Sequence, residues 1–404
     1  MNVEVAQIGV RPFRFFSGTL RIVEAEGSTM IASVSSKLLT TRIGYIGRGR
    51  GIATAAFISA TLGLSACGGS SSATPLGPQT LQRSTALEAA HGLAAAACLS
   101  MSCFYVTNTP ANRHDAGSYV LAFAADANGN LAPVATIRGA KTDLGNPQGV
   151  ALDAGGRIYV TNMNAPARIV VFAAGSNGNV APLRSISGAR TGLKFPVAVT
   201  LDSDGNVYVV DLESESSASG SVSVFAADAN GNVPPLRKIM GTRTFLAFPL
   251  GIALDGSRNV YVANAYRPGS VTVFAAGATG NAKPLRVILG TKTQLNNPAG
   301  IALDAANNIY VANDAADQVN VYATGANGNV APSRVIAGPH TKLRFPVGLA
   351  LDPTGKIYVV DSNNGTPPNS VVVFAAGVNG DVAPIQTIGG SRTELESDIG
   401  IAVH

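Results

Sequence analysis

Six copies of one sequence pattern fill residues 103–404, and this repetition restricts the fold more than any other feature of the chain. One tyrosine marks the same place in every copy, and successive tyrosines lie 48 to 54 residues apart. Repeats of this length are typical of propellers, solenoids and other repeat arrays. The six marker residues are Tyr105, Tyr159, Tyr208, Tyr261, Tyr310 and Tyr358.

Each copy holds four short stretches rich in β-forming residues, with Gly, Pro, Asn and Asp between them. In the fifth interval they are IYVAND (309–314), QVNVY (318–322), SRVIAG (333–338) and FPVGLALD (345–352). This spacing predicts one four-stranded blade per copy. The GIALD-type stretch is small and apolar, which suits strands crowded around a central channel. Another stretch follows a proline, which cannot donate to a strand ladder, and is therefore predicted to be outermost. These prolines are Pro133, Pro182, Pro235, Pro284, Pro332 and Pro384.

The turn before each proline, such as ANGN at 326–329, contains Asn-Gly or a close equivalent and predicts a tight hairpin. The first copy begins at its second stretch, Cys103–Thr107, whereas the chain ends on an innermost stretch, Gly400–His404. Each end supplies what the other lacks. The sequence therefore predicts an all-β, six-bladed β-propeller of four-stranded blades, closed when the C-terminal strand pairs into the first blade. We expect this propeller to be monomeric.

The quoted motifs resemble a known repeat family. Pro-x-Gly-Ile-Ala-Leu-Asp, Ile-Tyr-Val-Ala-Asn and Val-x-Val-Phe are similar to the NHL repeat, and to the wider six-bladed group that includes gluconolactonase-like and strictosidine-synthase-like proteins. The resemblance covers about three quarters of the chain. It implies a fold but no single function, because this scaffold carries enzymes, receptors and adhesion domains.

The region before the repeats has the pattern of an export signal. An uncharged apolar run at 51–64 follows Arg42, Arg48 and Arg50, and is too short to span a bilayer as a helix. The following Leu-Ser-Ala-Cys-Gly-Gly resembles a lipobox and predicts lipidation of Cys67. An ordinary signal peptide with Cys67 near the cleavage point by chance is the alternative.

These features divide the chain into three parts. Residues 1–66 are predicted to be an N-terminal extension and lipoprotein signal peptide, with either Met1 or Met30 as the start. Residues 67–102 are predicted to form the lipidated Cys, a flexible tether and a short helix, and residues 103–404 the propeller. We expect an exported protein, lipid-anchored in the bacterial cell envelope, and in the outer membrane if the host has one. Cys98 and Cys103 would then lie where disulfides persist, but so short a loop is demanding to bridge, and both states stay open.

The basic charge of the chain gives little support to nucleic-acid binding. Residues 1–66 contain seven of the 29 basic residues and three of the 24 acidic residues, which leaves 22 and 21 in the remainder. A phosphate backbone requires concentrated positive charge, which this balance does not supply. We therefore expect no nucleic-acid partner.

Two repeated sets of polar residues predict a binding face. In a blade, the loop that enters the first strand and the loop that leaves the second lie at the same end, and such a rim would suit an anionic or polyhydroxylated ligand or a protein surface. The alternatives are structural, with Asn and Asp capping turns and cations pairing with nearby carboxylates. The entering loops carry Lys141, Arg190, Arg243, Lys292, His340 and Arg392, and the leaving loops begin with Asn108, Asn162, Asp211, Asn264, Asn313 and Asp361.

Three longer leaving loops, 108–117, 211–220 and 361–369, are the predicted source of ligand specificity on this face. A further repeated acid opens the turn between first and second strands on the opposite face, where a turn-capping role is the simplest interpretation. Its members are Asp153, Asp202, Asp255, Asp304 and Asp352, with His404 in the closing copy.

Evidence for catalysis in the sequence is weak. The chain has four His residues, of which His114 and His340 fall on the predicted binding face and are weak metal candidates without a third ligand. Nucleophile-elbow, zinc-protease, phosphate-loop and dinucleotide motifs are absent from the sequence. We therefore predict no catalytic residue, metal or cofactor. The favoured hypothesis is a cell-envelope scaffold that binds a protein, peptide or glycan, and the alternative, implied by the resemblance, is a metal-dependent lactonase or lyase.

Overall fold

A computed structural model describes residues 21–25, 28–33, 42–46, 98, 102–109, 117–213, 219–362 and 369–404. The chain divides into two compact units, Met1–Gly77 and Pro78–His404. In the first unit, β1 (Arg21–Ala25), β2 (Ser28–Ser33) and β3 (Arg42–Ile46) form an antiparallel sheet. The apolar run at 51–64, Cys67 and residues 85–97, where the short helix of 67–102 is predicted, lie outside the described residues. None of the helices in the described ranges is long and apolar enough to cross a membrane.

The second unit is a ring of six four-stranded antiparallel sheets, so the predicted six-bladed β-propeller is confirmed. In every sheet the first strand is innermost and the fourth outermost. The blades are, in order, β27 (Asp398–Val403), β4 (Cys103–Asn108), β5 (Tyr119–Ala124) and β6 (Ala135–Arg138); β7 (Pro147–Leu152), β8 (Ile158–Asn162), β9 (Arg168–Phe172) and β10 (Arg184–Ser187); β11 (Phe195–Leu201), β12 (Val207–Leu212), β13 (Gly220–Phe225) and β14 (Arg237–Ile239); β15 (Pro249–Leu254), β16 (Val260–Asn264), β17 (Ser270–Phe274) and β18 (Arg286–Leu289); β19 (Pro298–Leu303), β20 (Ile309–Asn313), β21 (Gln318–Tyr322) and β22 (Arg334–Ile336); β23 (Pro346–Leu351), β24 (Ile357–Asp361), β25 (Ser370–Phe374) and β26 (Gln386–Gly389).

Four short 3-10 helices lie between the strands in the described part of the ring. They are η1 (Ala189–Thr191), η2 (Thr291–Thr293), η3 (Asp314–Ala316) and η4 (Pro339–Thr341). Three of them, η1, η2 and η4, lie in loops that enter a first strand, whereas η3 follows the second strand of the fifth blade.

Glycine in the first strands lets neighbouring blades approach closely around the channel. A Cβ on Gly149 would lie 2.8 Å from the Cα of Ala198 in the next blade, and one on Gly300 would lie 2.7 Å from the backbone nitrogen of Leu349. Real Cβ atoms do not tolerate such distances to a backbone, so a larger residue would push the innermost strands apart. The small-residue pattern of the first strands is therefore a packing requirement of the ring.

The hydrophobic core lies between the faces of adjacent blades. Phe172, Phe225 and Phe374, at the end of the Val-x-Val-Phe motif, are completely buried. One cluster joins Val319 of the fifth blade to Phe374 of the sixth, and the other clusters join blades in the same way. Each fully buried side chain of this size contributes about 1.5–3 kcal/mol, so the blades stabilise one another across their interfaces.

The closure predicted from the two ends of the array is confirmed. β27 pairs antiparallel with β4, with Ile401 opposite Val106 and Val403 opposite Phe104. The backbone N–H of His404 donates to the carbonyl of Cys103 at 2.9 Å. Cys103 is joined to Cys98 by a disulfide, and both residues are buried, so this bond holds the chain at the beginning of the closing blade.

The predicted Asn-Gly hairpin before the fourth strand is wrong. β9 ends at Phe172 and β10 begins at Arg184, and in the turn at 177–179 only the glycine, Gly178, has a positive φ, of 75°. The N–H of Gly178 donates instead to the carbonyl of Thr136 in the preceding blade at 2.8 Å. Equivalent glycines bridge all six blade junctions. The connection thus covers the outermost strand of the neighbouring blade, whose edge would otherwise be left without hydrogen-bond partners.

Candidate functional site

The loops that enter the first strands and those that leave the second strands contact each other at one end of the ring, which we call the loop face. In the second blade, the N–H of Met163 donates to the carbonyl of Asn146 at 3.1 Å, and the fourth and sixth blades have the same contact. The entering loops are 139–146, 188–194, 240–248, 290–297, 337–345 and 390–397.

The predicted Asn/Asp set lies beneath the loop face. Its six side chains are at most 2% exposed, so a ligand would meet the loops above them. The N–H of Gly145 donates to Oδ1 of Asn162 at 2.9 Å, and the N–H of Asn296 to Oδ1 of Asn313 at 2.6 Å. These side chains hold each entering loop on the neighbouring leaving loop. This is a structural role, of the kind given above as the alternative to ligand binding. The set is Asn108, Asn162, Asp211, Asn264, Asn313 and Asp361.

Two blades have a carboxylate where the others have an amide. Asp211 accepts the N–H groups of Lys194 and Phe195 at 3.0 and 2.8 Å, and Asp361 accepts the equivalent pair in the sixth blade. Burial raises the pKa of Asp211 to about 6, although the two backbone hydrogen bonds and the charge of Lys238 act in the opposite direction.

The Gly-x-Lys/Arg-Thr motif is divided between structure and surface. The backbone N–H of Lys141 donates to Oδ1 of Asn179, in the connection between β9 and β10, at 2.8 Å. Gly139 has a φ of 126°, and a Cβ there would lie 2.5 Å from the Asn179 side chain. Thr142 donates its hydroxyl to the carbonyl of Gly139 at 2.7 Å. The Gly, the Thr and the backbone of the cation are thus used by the loop, whereas the cationic side chain is not.

The six side chains at the cationic position form a ring on the loop face, which we call the cationic ring: Lys141, Arg190, Arg243, Lys292, His340 and Arg392. All six are exposed. In the described residues, the five Lys and Arg members form no salt bridge, whereas Nδ1 of His340 lies 2.6 Å from Oδ2 of Asp381. The alternative that the repeated cation pairs with a nearby carboxylate therefore fits only His340 among the described contacts.

One of the two metal candidates and most of the loops predicted to give ligand specificity lie outside the described residues. These are His114 and most of the three longer loops, namely residues 110–116, 214–218 and 363–368. Within the ranges that are described, no three His, Cys, Asp or Glu side chains lie close enough together to hold a metal ion.

The repeated acid of the opposite face caps its turn, as predicted. Oδ1 of Asp153 accepts the N–H groups of Gly155 and Arg157, each at 2.9 Å. The network continues in a way not predicted from the sequence, since the Tyr159 hydroxyl donates to Asp153 and Arg184 donates to Tyr159. Arg184 also donates to the carbonyl of Ala227 in the next blade, so this network links two adjacent blades. The regular Arg two residues after the proline was the sequence signal for this network.

A cavity of about 300 Å³ lies in the channel and was not predicted from the sequence. It is lined by the six first strands and by one acid, Asp314. One position lines the cavity in every blade, namely the residue before the first-strand glycine, a glycine that is replaced by Ala198 in the third blade. This residue is apolar in five of the six blades: Gln148, Val197, Leu250, Ala299, Val347 and Ile399. That position in the Pro-x-Gly motif was the signal that could have revealed it.

Comparisons with known proteins agree with this fold. Residues 144–172 and 343–366 match the family model of the NHL repeat, which confirms the resemblance. No curated protein matches the chain. A protein of unknown function from Bacteroides caccae is 12% identical with a TM-score of 0.53, and the match covers 75% of this chain and 98% of that one.

Two further solved structures are similar at lower scores. A protein from Bacteroides uniformis, provisionally named a 6-phosphogluconolactonase, is 13% identical with a TM-score of 0.49, and the match covers 72% of this chain and 83% of that one. A protein from Lactobacillus plantarum is 14% identical with a TM-score of 0.47, covering 75% and 100%. At such identities, likeness in structure concerns the fold alone.

Proposed function

We propose that this chain is a non-catalytic binding scaffold of the cell envelope, and that its loop face engages a protein, peptide or glycan that carries negative charge. The observation that carries the proposal is the cationic ring. Its five Lys and Arg side chains are exposed and form no salt bridge within the described residues. The fold uses only the backbone at these positions, so the charges are left for another molecule.

The arrangement of the ring favours a ligand with several negative charges. One exposed ion pair contributes only about 0.2–1 kcal/mol, which is too little for specific binding. Several contacts made by one ligand add through effective concentration, provided that its charges can reach neighbouring loops together. Such binding weakens as salt increases, because exposed charges are screened.

The proposed location rests on the lipobox-like Leu-Ser-Ala-Cys around Cys67. A diacyl anchor at this residue, followed by the Gly-, Ser-, Pro- and Thr-rich residues 68–82, would hold the propeller near a membrane surface. Envelope proteins and surface glycans would then be the available partners.

The first test compares matched substitutions on and off the loop face. Lys292 belongs to the cationic ring, whereas Lys283 is an exposed lysine in the connection between β17 and β18. Binding of full-length protein to polygalacturonate, an anionic glycan, is measured at several salt concentrations, with dextran as the neutral glycan. Lys292→Glu should lower the affinity severalfold and Lys141→Glu/Lys292→Glu at least tenfold, whereas Lys283→Glu, which makes the same charge change as Lys292→Glu, should have little effect.

Equal effects of Lys292→Glu and Lys283→Glu on the affinity for polygalacturonate would contradict the role of the cationic ring. Equal binding of dextran and polygalacturonate would contradict it as well. Chemical cross-linking in intact cells, with wild-type protein and the double variant compared, then identifies the natural partner. A partner captured equally well by both would not be bound through these charges.

A further inference from the structure

The channel cavity combines an apolar wall with one carboxylate. Its wall is formed by the innermost strands of all six blades and includes Val199, Ile252, Ile301 and Leu349. The acid, Asp314, begins η3 directly after the second strand of the fifth blade, and is half-buried at the end of the channel that belongs to the loop face.

The two carboxylate oxygens of Asp314 are in different environments. Oδ2 accepts a hydrogen bond from Nδ2 of Asn297 at 2.5 Å. Oδ1 is buried and has no hydrogen-bond partner. A buried acceptor without a partner costs about 1–3 kcal/mol, and more when it is charged, so this carboxylate is incompletely compensated and a cation beside it in the cavity would stabilise it.

The charges around Asp314 do not compensate it. Burial raises its pKa, and so do the negative charges of Asp317 and Asp361, against the effect of the Asn297 hydrogen bond. The positive charge of Arg344 acts on Asp317 instead, where it opposes the rise in the pKa that burial causes. The carboxylate therefore lacks a cation at its own position, beside a cavity whose other lining residues are apolar or glycine except for Gln148.

We propose that this cavity binds a small aliphatic molecule carrying one ammonium group, with the Asp314 carboxylate as its counter-charge and the first strands as the wall around its hydrocarbon part. A volume of about 300 Å³ is at the lower end of the range for small-molecule sites. A hard metal ion would require six or more oxygen ligands, which the valine, leucine and isoleucine side chains do not offer. An anion would be repelled by Asp314.

This site is separate from the proposed function of the loop face, since the cationic ring lies in the entering loops and contributes no residue to the cavity. Each proposal can therefore fail without the other.

The test uses three probes of the same length, hexylammonium, hexanol and hexanoate, titrated calorimetrically into full-length protein. Hexylammonium is expected to bind at least ten times more tightly than hexanol, and hexanoate more weakly than both. Asp314→Asn should remove the preference for hexylammonium while preserving hexanol binding. Asp317→Asn, at an exposed acid of the same loop, is the matched control and should preserve the preference.

A second variant tests the cavity itself. Ala299→Leu places a larger side chain on the wall and should weaken both hexylammonium and hexanol, whereas a simple ion pair at the surface would be unaffected. Wild-type affinity for hexylammonium should also fall as pH decreases, because protonated Asp314 no longer attracts the cation. Equal affinities for the three probes, a preference that survives Asp314→Asn, or no binding at millimolar concentration would overturn the proposal.

Discussion

Replacing Asp211 with Asn is expected to stabilise the propeller at neutral pH. Asp211 is completely buried, and four other blades have Asn at the equivalent position. An amide retains the oxygen that accepts the N–H groups of Lys194 and Phe195. Its Nδ2 group can donate to the carbonyl of Val209, as Asn264 donates to Val262 at 3.1 Å in the next blade. The substitution therefore removes a buried negative charge without losing the contacts that hold the entering loop.

The magnitude follows from the difference in pKa between the folded and unfolded states. Burial raises the pKa of Asp211 from 3.8 to about 6. The folded protein thus binds a proton more tightly, so this group's contribution is complete below pH 4 and is lost as pH rises through 6. Two pKa units correspond to about 3 kcal/mol, and this is the expected growth in the stability difference between variant and wild type.

The assay is urea unfolding at pH 4, 5, 6 and 7, followed by far-UV circular dichroism because the chain has no Trp. The free energy of unfolding of Asp211→Asn minus that of the wild type should increase across this series, mostly between pH 4 and pH 6. Asn264→Asp, which introduces the acid into the fourth blade, should show the opposite trend. A constant difference across the four pH values would refute the reasoning, since the buried carboxylate would then titrate as it does in the unfolded chain.

Three other predictions concern the ring and the anchor. Deletion of 399–404 removes the innermost strand of the closing blade, and should cost more than about 3 kcal/mol by buried area alone; a melting temperature equal to that of the wild type would contradict closure. Asn179→Ala removes the acceptor of the exposed N–H of Lys141 and should destabilise by about 0.5–1.5 kcal/mol in thermal unfolding, whereas the same change at Asn164, outside that contact, is the control. Cys67→Ser should abolish incorporation of an alkyne-labelled fatty acid in the producing bacterium; persistent labelling would show that the lipobox interpretation is wrong.

The fold could be predicted because repetition encodes it many times. The apolar first strand, the proline before the fourth strand and the incomplete copies at both ends each have one simple physical meaning. The Asn-Gly turn failed for an equally physical reason. A dipeptide such as Asn177-Gly178 indicates that a positive φ is required in the turn. It does not indicate which residue the backbone N–H of the glycine will hydrogen-bond. Here the partner is Thr136 of the preceding blade, a contact that only the assembled ring creates.

The site was less predictable because the same residue types serve two purposes. Asn162 and Lys141 repeat with equal regularity, yet one is buried in the scaffold and the other is exposed. A sequence pattern shows that a position recurs but does not show on which side of the loop its side chain lies. The cavity was missed for a related reason, since Asp314 follows Asn313 in the chain and only the structure shows that it reaches the channel.

Departures from the repeat are therefore more informative about function than the repeat itself. A role that the fold requires must be filled in every blade, as the Gly139 and Thr142 positions are. Asp314 has no such constraint, because no other blade places an acid in the wall of the cavity. Its unpartnered oxygen costs stability that the ring does not need to lose, and a bound cation would return that energy. The five Lys and Arg members of the cationic ring differ, because they repeat yet form no ion pair in the described residues, and this is why we propose a ligand whose charges also repeat.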